Sequence, residues 1–545
     1  MLKKITSVLI ILAMLCTVLC ACGDDDSTVM VMPIDSDPLT LDPQAADTDS
    51  GRLIASNLYE GLVRLDENYQ IVPGAAEKWE ISGDGLTYTF HLREDAKWQL
   101  LKSYEKVLPD PEYMKNFDNR VTAQDFVFGL QRAVDPVTQC DEAEKFLCMK
   151  NAQKIQNGEA SAAALGIYAK DDKTLVIELE RANPDFIRVL TLPAAMPCKQ
   201  DFFKETHAKY GLEVKYTFCN GPYYVSNWAE DNTLTLIKSE VYKGNSKVNP
   251  DYVYFYVNKS EESVVSKFKQ HSYSCIYLND STYSQLKDSK STAFLTADNT
   301  VSGLCFNCSD NTLVNADIRK ALVRITKFDE ITKPDSASGN AGGIVPDCCR
   351  FGEKSYRETA GSLSAVKYDK AEALALWEKG IKEIGAESLE IKIICTDDYT
   401  RQMQKTIQNW QIVLGTAIIA KVETRSKEDF NTAVKNGKYQ IAVGSVSTDS
   451  STAVDTLKKF RSDSRANIFG YNNEAYDKLV DEIILNASGL DIITKHKQAE
   501  QMLVDDAVFC PLHTYSERIA VNSDITGLYP SPAFEGIFFL NGVEN

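Results

Sequence analysis

This chain has few histidines, and its basic residues are outnumbered by acidic ones. Both features restrict the kinds of binding site that the protein can form. Only five of 545 residues are His, at positions 91, 207, 271, 496 and 513, which is too scattered a set to predict a metal centre. Lys and Arg number 59 against 77 Asp and Glu, so the formal net charge is −18. Because phosphate backbones are bound by basic surfaces, we expect no nucleic-acid partner.

The chain also lacks the motifs that identify common hydrolases and nucleotide-binding enzymes. It contains no Gly-x-Ser-x-Gly, no His-Glu-x-x-His and no glycine-rich phosphate loop. The spacing Ser-x-x-Lys occurs without the other motifs of penicillin-binding enzymes, at Ser103/Lys106, Ser266/Lys269 and Ser284/Lys287. We therefore predict a protein that is not an enzyme and needs no cofactor. A secreted hydrolase is the weaker alternative.

Cysteine, by contrast, is abundant, with 14 residues in the chain. Cys16 and Cys20 fall in the N-terminal apolar segment, and eleven cysteines follow Cys22. An odd number cannot pair completely within one chain, and the spacings do not resemble a compact disulfide framework. Either the environment is reducing, or a few cysteines pair and the rest are buried as small apolar side chains. Cys305 and Cys308 form half of a zinc or redox motif without a second half, so we predict cysteines in the core or at a strand edge and no metal site.

The N-terminal segment has the pattern of a bacterial lipoprotein export signal. A short basic region precedes the apolar run 5–19, and Leu19-Cys20-Ala21-Cys22 resembles a lipobox. The run is shorter than the roughly 20 residues of a membrane span, and no later segment approaches that length. We predict a signal peptide over 1–21, lipidation of Cys22 and a tether over 22–28, which would anchor an extracytoplasmic protein to the cell membrane. An ordinary secretory signal or an uncleaved anchor is the alternative.

Patterns of hydrophobicity predict a mixture of strands and helices. Residues 86–92 alternate between apolar and polar side chains, as a half-buried strand does. The run 252–257 is continuously apolar or aromatic and predicts a strand buried on both faces. Thr122 with Asp125 predicts a capping box, and Asn315 predicts a second helix start. The length suggests about three domains.

Beyond these local patterns, a series of short motifs occurs in order along the chain. They are Pro38–Gln44 (PLTLDPQ), Asn57–Leu62 (NLYEGL), Pro73–Trp79 (PGAAEKW), Asp84–Arg93 (DGLTYTFHLR), Val121–Phe128 (VTAQDFVF), Asn220–Tyr223 (NGPY) and Asp317–Leu322 (DIRKAL). In this order they resemble the extracytoplasmic oligopeptide- and dipeptide-binding proteins, family 5, of ABC importers. The likeness extends over nearly the whole chain after the export signal.

The resemblance implies an α/β, two-lobed periplasmic-binding-protein fold of class II with an additional inserted α+β domain. Lobe I is expected in three parts, 29–72, 207–303 and 516–545, with the inserted domain over 73–206 and lobe II over 304–515. A ligand would bind between the lobes, which close about a hinge. The polar stretch 99–120 is longer than the corresponding turn of relatives and is predicted to be a surface loop.

The resemblance also implies a ligand-binding segment, which consists of Gly444, Ser445, Val446, Ser447, Thr448 and Asp449. In peptide-binding relatives, main-chain hydrogen bonds hold an extended peptide, and an aspartate after a Gly-Trp pair binds its terminal ammonium. Here Ser445 occupies the tryptophan position, Thr448 lies at the aspartate's spacing, and Asp449 follows one residue later. Asp449 is therefore either a ligand anchor or the N-cap of a helix that begins near Ala453.

Together these features predict a monomeric substrate-binding lipoprotein of an ABC importer. It would capture short peptides between its lobes and deliver them to the membrane permease and its ATPase subunits. Other ligands that the resemblance leaves open are a nickel chelate, haem or an oligosaccharide. A peptide-sensing receptor would use the same site with different downstream partners.

Overall fold

The computed structural model describes most of the chain after the predicted export signal. The described residues are 28–101, 104, 117–183, 186–244, 248–332, 334, 338–351, 354–364, 366–448, 452–464, 466–485, 491–531, 536–539 and 541–544. The predicted signal peptide, Cys22, Asp449 and most of the stretch 99–120 lie outside them. No helix within these ranges is long and apolar enough to cross a lipid bilayer.

Helices and strands alternate along the chain, as the hydrophobic patterns predict. The α-helices are α1 (Asp49–Leu58), α2 (Ala123–Val134), α3 (Ala152–Gln156), α4 (Phe186–Val189), α5 (Gln200–Glu205), α6 (Glu261–Lys269), α7 (Asp280–Leu286), α8 (Ala316–Arg324), α9 (Tyr356–Ala360), α10 (Lys370–Ile384), α11 (Asp397–Leu414), α12 (Lys427–Lys435), α13 (Ala453–Lys458), α14 (Glu474–Leu485) and α15 (Ile492–Asp505). The strands are β1 (Val29–Ile34), β2 (Val63–Leu65), β3 (Ile71–Pro73), β4 (Ala76–Ile81), β5 (Thr87–Leu92), β6 (Ile167–Asp171), β7 (Thr174–Glu178), β8 (Tyr223–Ala229), β9 (Thr233–Lys238), β10 (Tyr252–Val257), β11 (Cys275–Leu278), β12 (Thr292–Phe306), β13 (Gly339–Asn340), β14 (Arg350–Phe351), β15 (Lys354–Ser355), β16 (Leu389–Cys395), β17 (Ile418–Thr424), β18 (Ile441–Ser447), β19 (Phe509–Asn522), β20 (Ile525–Thr526), β21 (Tyr529–Pro530), β22 (Ile537–Phe538) and β23 (Val543–Glu544).

Three sheets organise the molecule. The first has the order β1-β10-β9-β8, with β1 parallel to β10. The second, β4-β5-β7-β6, is antiparallel and lies within the predicted inserted domain. The third has the order β11-β19-β12-β18-β16-β17, with β13 beside β19. Parallel and antiparallel pairs both occur in the third sheet, as expected of an α/β protein.

The centre of the third sheet is buried on both faces. Cys305 and Ala442 belong to one buried apolar cluster, whereas their chain neighbours Leu304 and Val443 belong to another. Because successive side chains of a strand point to opposite faces, the two clusters cover opposite faces of this sheet. The largest cluster joins the first and second sheets with α1 and α2.

Helix starts follow the sequence closely. Thr122 and Asp125 form the predicted capping box of α2, in which the Thr122 N–H donates to Asp125 Oδ2 at 2.9 Å. Asn315 caps α8 by accepting a hydrogen bond from the Asp317 N–H at 2.9 Å. Both predictions are confirmed, since a cap depends only on residues within one turn.

The prediction that 252–257 is buried on both faces is wrong. Val253 and Phe255 of β10 are fully buried, but Tyr252 and Tyr254 are half-buried and Tyr256 is 37% exposed. The three tyrosine rings stack along the outer face of the first sheet, with centroids 6.1 and 6.4 Å apart. Tyrosine has an apolar ring and a polar hydroxyl, so it suits a face that is only partly covered.

Two long strands, β12 and β19, connect the parts of the third sheet. Residues 292–297 of β12 pair with 517–522 of β19 beside β11, whereas 300–305 pair with 509–515 beside β18. The register shifts between Ala297 and Thr300. Such an interruption lets the two halves of a ladder turn relative to one another. We call Asp298, Asn299, Ser516 and Glu517 the hinge segment. The lobe boundaries given above remain predictions.

Candidate ligand-binding cleft

Four residues of the predicted ligand-binding segment lie in strand β18. Gly444 to Ser447 pair antiparallel with β12, so that Gly444 is opposite Gly303 and Ser445 is opposite Ser302. A Cβ at Gly444 would lie 2.9 Å from Cys305 Sγ, which explains the glycine there. Val446 is buried in the core, and the Ser445 side chain is exposed.

The other edge of β18 is open over the same residues. Strand β16 pairs with β18 only at Ile441 and Ala442, and no other described strand pairs with 443–447 on that side. The Ser447 carbonyl accepts a hydrogen bond from Lys459 Nζ at 2.8 Å. An open strand edge presents backbone donors and acceptors to which an extended peptide can add.

Thr448 links this edge to the hinge segment. Its N–H donates to the Asn299 carbonyl at 3.0 Å, and the residue is only 2% exposed. Its hydroxyl has no hydrogen-bond partner within the described part of the chain. Leaving a buried hydroxyl unpaired costs about 1–3 kcal/mol, so Thr448 is a candidate for contact with a ligand.

Asp449, the predicted anchor for an ammonium group, lies outside the described residues. Its alternative role as a helix N-cap is wrong, because the N-cap of α13 is Thr452. The Thr452 hydroxyl accepts a hydrogen bond from the Asp455 N–H at 3.3 Å. The ligand-anchor role of Asp449 stays a prediction.

Sequence reasoning missed a second concave feature, a pocket of about 400 Å³ where the first sheet meets the third. We call it the junction pocket. The residues that define it are Asp35 and Ser36 after β1, Asp47, Asp49 and Ser50 at the start of α1, and Tyr277 of β11. Its size is within the range of ordinary ligand sites. The polar residues before α1 predict a helix start from the sequence. Their position beside β11 depends on the tertiary fold and could not be predicted in this way.

Side chains from distant parts of the chain influence one another electrostatically. Arg461 holds the pKa of Asp463 below its usual value, and Arg181 of the predicted inserted domain acts in the same direction. Burial raises the pKa of Tyr69, with smaller contributions from Cys348 and Glu517.

The cysteines are thiols packed in the interior. All eleven after Cys22 are unpaired, and ten of them are buried. Burial raises the pKa of Cys305 to about 12 and that of Cys308 to about 11. The prediction that Cys305 and Cys308 are core residues is confirmed. Within the described ranges, no group of three His, Cys, Asp or Glu side chains is arranged to hold a metal ion.

Comparison with known proteins agrees with this architecture. The family described as "Bacterial extracellular solute-binding proteins, family 5 Middle" matches residues 70–467. The dipeptide-binding protein DppE of Bacillus subtilis is 26% identical over 517 residues, which cover 92% of this chain and 90% of that protein. The probable deoxycholate-binding periplasmic protein YgiS of Escherichia coli is 33% identical over 210 residues, 38% of this chain and 36% of that protein.

A solved structure gives the same result for the fold. Listeria monocytogenes OppA bound to peptide matches with a TM-score of 0.69 at 23% identity, over 96% of this chain and 100% of that chain. A likeness at this identity establishes the fold. The predicted two-lobed α/β fold of the periplasmic-binding-protein type is thereby confirmed.

Proposed function

Because the chain belongs to the bacterial extracellular solute-binding proteins of family 5, we propose that it captures short peptides between its lobes and delivers them to an ABC importer. The permease and its ATPase subunits would be its partners. The observation that carries the proposal is the open edge of β18 over 443–447, which ends at the hinge segment. Main-chain hydrogen bonds along such an edge bind the peptide backbone, so affinity depends little on the peptide's side chains.

The proposed reaction is capture and release without covalent chemistry. The buried imidazole of His513 takes part in a network with hydroxyl groups, and its Nδ1 lies 2.9 Å from the Tyr399 hydroxyl. Ser302 Oγ lies 3.0 Å from the same tyrosine and donates to the His513 carbonyl at 3.2 Å. A serine nucleophile needs a base that accepts its proton, whereas Ser302 Oγ donates to the main-chain carbonyl of His513, which supports a role without catalysis.

Membrane attachment through lipidated Cys22 is part of the proposal. Its support is the lipobox-like sequence Leu19-Cys20-Ala21-Cys22 after a short apolar run. The tether 22–28 would then hold the lobes beside the outer surface of the cell membrane. Lobe I over 29–72, 207–303 and 516–545, the inserted domain over 73–206 and lobe II over 304–515 are the proposed divisions.

One observation favours a second candidate ligand class. The match to the probable deoxycholate-binding protein has a higher identity, over a shorter stretch, than the match to the dipeptide-binding protein. A bile-acid-like amphiphile would need an apolar pocket and could not add to a strand edge. The open edge of β18 therefore makes a peptide the first choice.

Isothermal titration calorimetry tests the proposal. The purified protein is freed of co-purified ligand by reversible unfolding and titrated with pools of peptides of about two to six residues, the lengths suited to strand addition in a cleft. Deoxycholate is titrated in parallel. Saturable binding of peptides supports the proposal, whereas binding of deoxycholate alone, or of neither, contradicts it.

A further inference from the structure

We infer that the outer face of the first sheet lies against the surface of the membrane to which the protein is anchored. We call this surface the tyrosine face, and it carries Tyr224 of β8 and Tyr252, Tyr254 and Tyr256 of β10. The inference rests on the proposed lipidation of Cys22 and adds to it an orientation of the folded protein on the bilayer. Its basis is the position of this face beside the start of the described chain.

The tyrosine face is a continuous aromatic surface. The rings of Tyr252, Tyr254 and Tyr256 stack with centroids 6.1 and 6.4 Å apart. Tyr224 and Tyr252 are both opposite Ile237 of β9, so their side chains lie on the same side of the sheet. Tyr256 is 37% exposed and the other three tyrosines are half-buried. The four rings therefore present apolar surface that solvent still reaches.

The start of the described chain is fixed beside this face. The Thr28 N–H donates to Asp251 Oδ2 at 3.1 Å, and the Thr28 hydroxyl donates to the Asn249 carbonyl at 2.7 Å. Strand β1 then runs parallel to β10, with Val29 opposite Tyr252. The row of tyrosines in β10 thus begins level with the first residues that follow the proposed tether.

The tether is short compared with the molecule. Six peptide units separate Cys22 from Thr28, so a fully extended tether reaches about 20 Å. A compact chain of about 520 residues has a radius of gyration of about 24 Å. A lipid on Cys22 therefore keeps the surface around Thr28 close to the bilayer and holds the opposite surface of the protein away from it.

The chemistry of the tyrosine face suits a bilayer surface. Tyrosine combines an apolar ring with a polar hydroxyl, and this combination favours the boundary between lipid tails and headgroups. The charges beside the face are balanced, because Lys238 Nζ lies 3.2 Å from Asp251 Oδ1. The whole chain has a formal net charge of −18, which an anionic bilayer repels. A face bordered by paired charges approaches such a bilayer more easily than the rest of the surface does.

A weak anchor makes the contribution of the tyrosine face measurable. The protein that begins at Cys22 is coupled through the Cys22 thiol to a maleimide with one tetradecyl chain, and a single chain of this length gives an association constant with bilayers of only about 10⁴ M⁻¹. Burial raises the pKa of the half-buried Cys140 thiol to about 12, and the other ten described thiols are buried. Cys22 therefore reacts selectively near neutral pH.

Matched variants then test the contact by sedimentation with phosphatidylcholine vesicles. The variant Tyr252→Ser/Tyr254→Ser/Tyr256→Ser is compared with the control Tyr168→Ser/Tyr368→Ser, whose tyrosines are 48% and 44% exposed elsewhere on the surface. We expect the triple variant to bind at least about tenfold more weakly than the unchanged protein, because each ring loses about 40 Å² of buried apolar surface. The control should bind as the unchanged protein does. Calorimetry should give all three proteins the same peptide affinity.

Enzymatic iodination tests the same contact without any substitution. Lactoperoxidase modifies accessible tyrosines, and mass spectrometry measures the rate at each one. The coupled protein is iodinated with and without saturating vesicles. Since a face in the headgroup region is closed to an enzyme, the rates at Tyr252, Tyr254 and Tyr256 should fall at least about fivefold on the vesicles, and those at Tyr168 and Tyr368 should not.

Weaker binding of the triple variant together with protection from iodination supports the inference. Equal affinity of the triple variant and the unchanged protein, or equal iodination with and without vesicles, overturns the inference and leaves peptide capture intact. Protection that is already complete without vesicles shows that the tether or a second copy covers the tyrosines, and it also overturns the inference. Absence of lipid from Cys22 in the protein isolated from cells, measured by mass spectrometry, overturns the proposed anchoring and the inference with it.

Discussion

Thr448 and Thr456 are both buried, but their surroundings differ. Thr448 is 2% and Thr456 is 0% exposed, and neither hydroxyl has a partner in the described structure. Thr448 is hydrogen bonded to the hinge segment through its N–H, whereas Thr456 lies within α13. Thr448 directly follows the open edge of β18, whereas Thr456 does not adjoin that edge. Substitutions at the two positions can therefore distinguish a contact with the ligand from an effect on stability alone.

Replacing each threonine with valine should reveal this difference. Thr448→Val and Thr456→Val should each raise the free energy of unfolding of the ligand-free protein by about 1 kcal/mol, because each removes an unpaired buried hydroxyl. Peptide affinity should fall about fivefold in Thr448→Val, which loses one hydrogen bond to the ligand, and stay unchanged in Thr456→Val. Urea denaturation and calorimetry measure the two quantities. Equal peptide affinity in both variants would show that Thr448 does not touch the ligand.

Residues whose role depends on near neighbours in the chain were predictable, and residues whose role depends on distant contacts were not. Asn315 caps a helix by contacts within one turn, so its sequence position suffices. Asp47 and Ser50 also lie at the start of a helix, but their pocket forms only when Tyr277 is brought against them. Such a contact cannot be inferred from the spacing of residues along the chain.

Helix α2 shows how one side chain can stabilise a whole element. Asp125 accepts the Thr122 N–H at 2.9 Å and the Trp98 indole N–H at 3.0 Å. Lys199 Nζ lies 3.6 Å from its other oxygen. The carboxylate thus joins the start of α2 to the chain before it and to the start of α5.

Removing this carboxylate should destabilise the protein measurably. Asp125→Ala loses a helix cap and leaves the buried Trp98 indole N–H unpaired, so the free energy of unfolding should fall by about 2–3 kcal/mol. Gln124→Ala, at an exposed position one residue earlier, should change it by less than about 0.5 kcal/mol. Urea denaturation followed by circular dichroism measures both values. A loss as small in Asp125→Ala as in the control would refute this account of α2.

The burial of the two faces of β10 could not be predicted from its hydrophobic pattern. A run of apolar and aromatic residues indicates a strand but does not say how many of its faces are covered. The tyrosines of β10 are half-exposed because α6 covers the neighbouring β1, where Val31 packs against the cluster of Val265 and Phe268. Coverage depends on which helix lies over which strand, and that is a property of the tertiary fold.

At the scale of the whole molecule, the order of motifs was more informative than any one of them. Each of the segments Pro38–Gln44 and Asn220–Tyr223 is too short to identify a family alone. Their order over nearly the full chain identified the family and therefore the fold. The strand edge and the junction pocket needed the structure, because both depend on pairing between distant segments.

Small-angle X-ray scattering can detect whether a bound peptide closes the two lobes about β12 and β19. The protein is measured after removal of co-purified ligand and again with a saturating peptide identified by calorimetry. A ligand that contacts both lobes shifts the population toward the closed form, so the radius of gyration should fall on binding. An unchanged scattering profile with peptide bound would contradict capture by lobe closure.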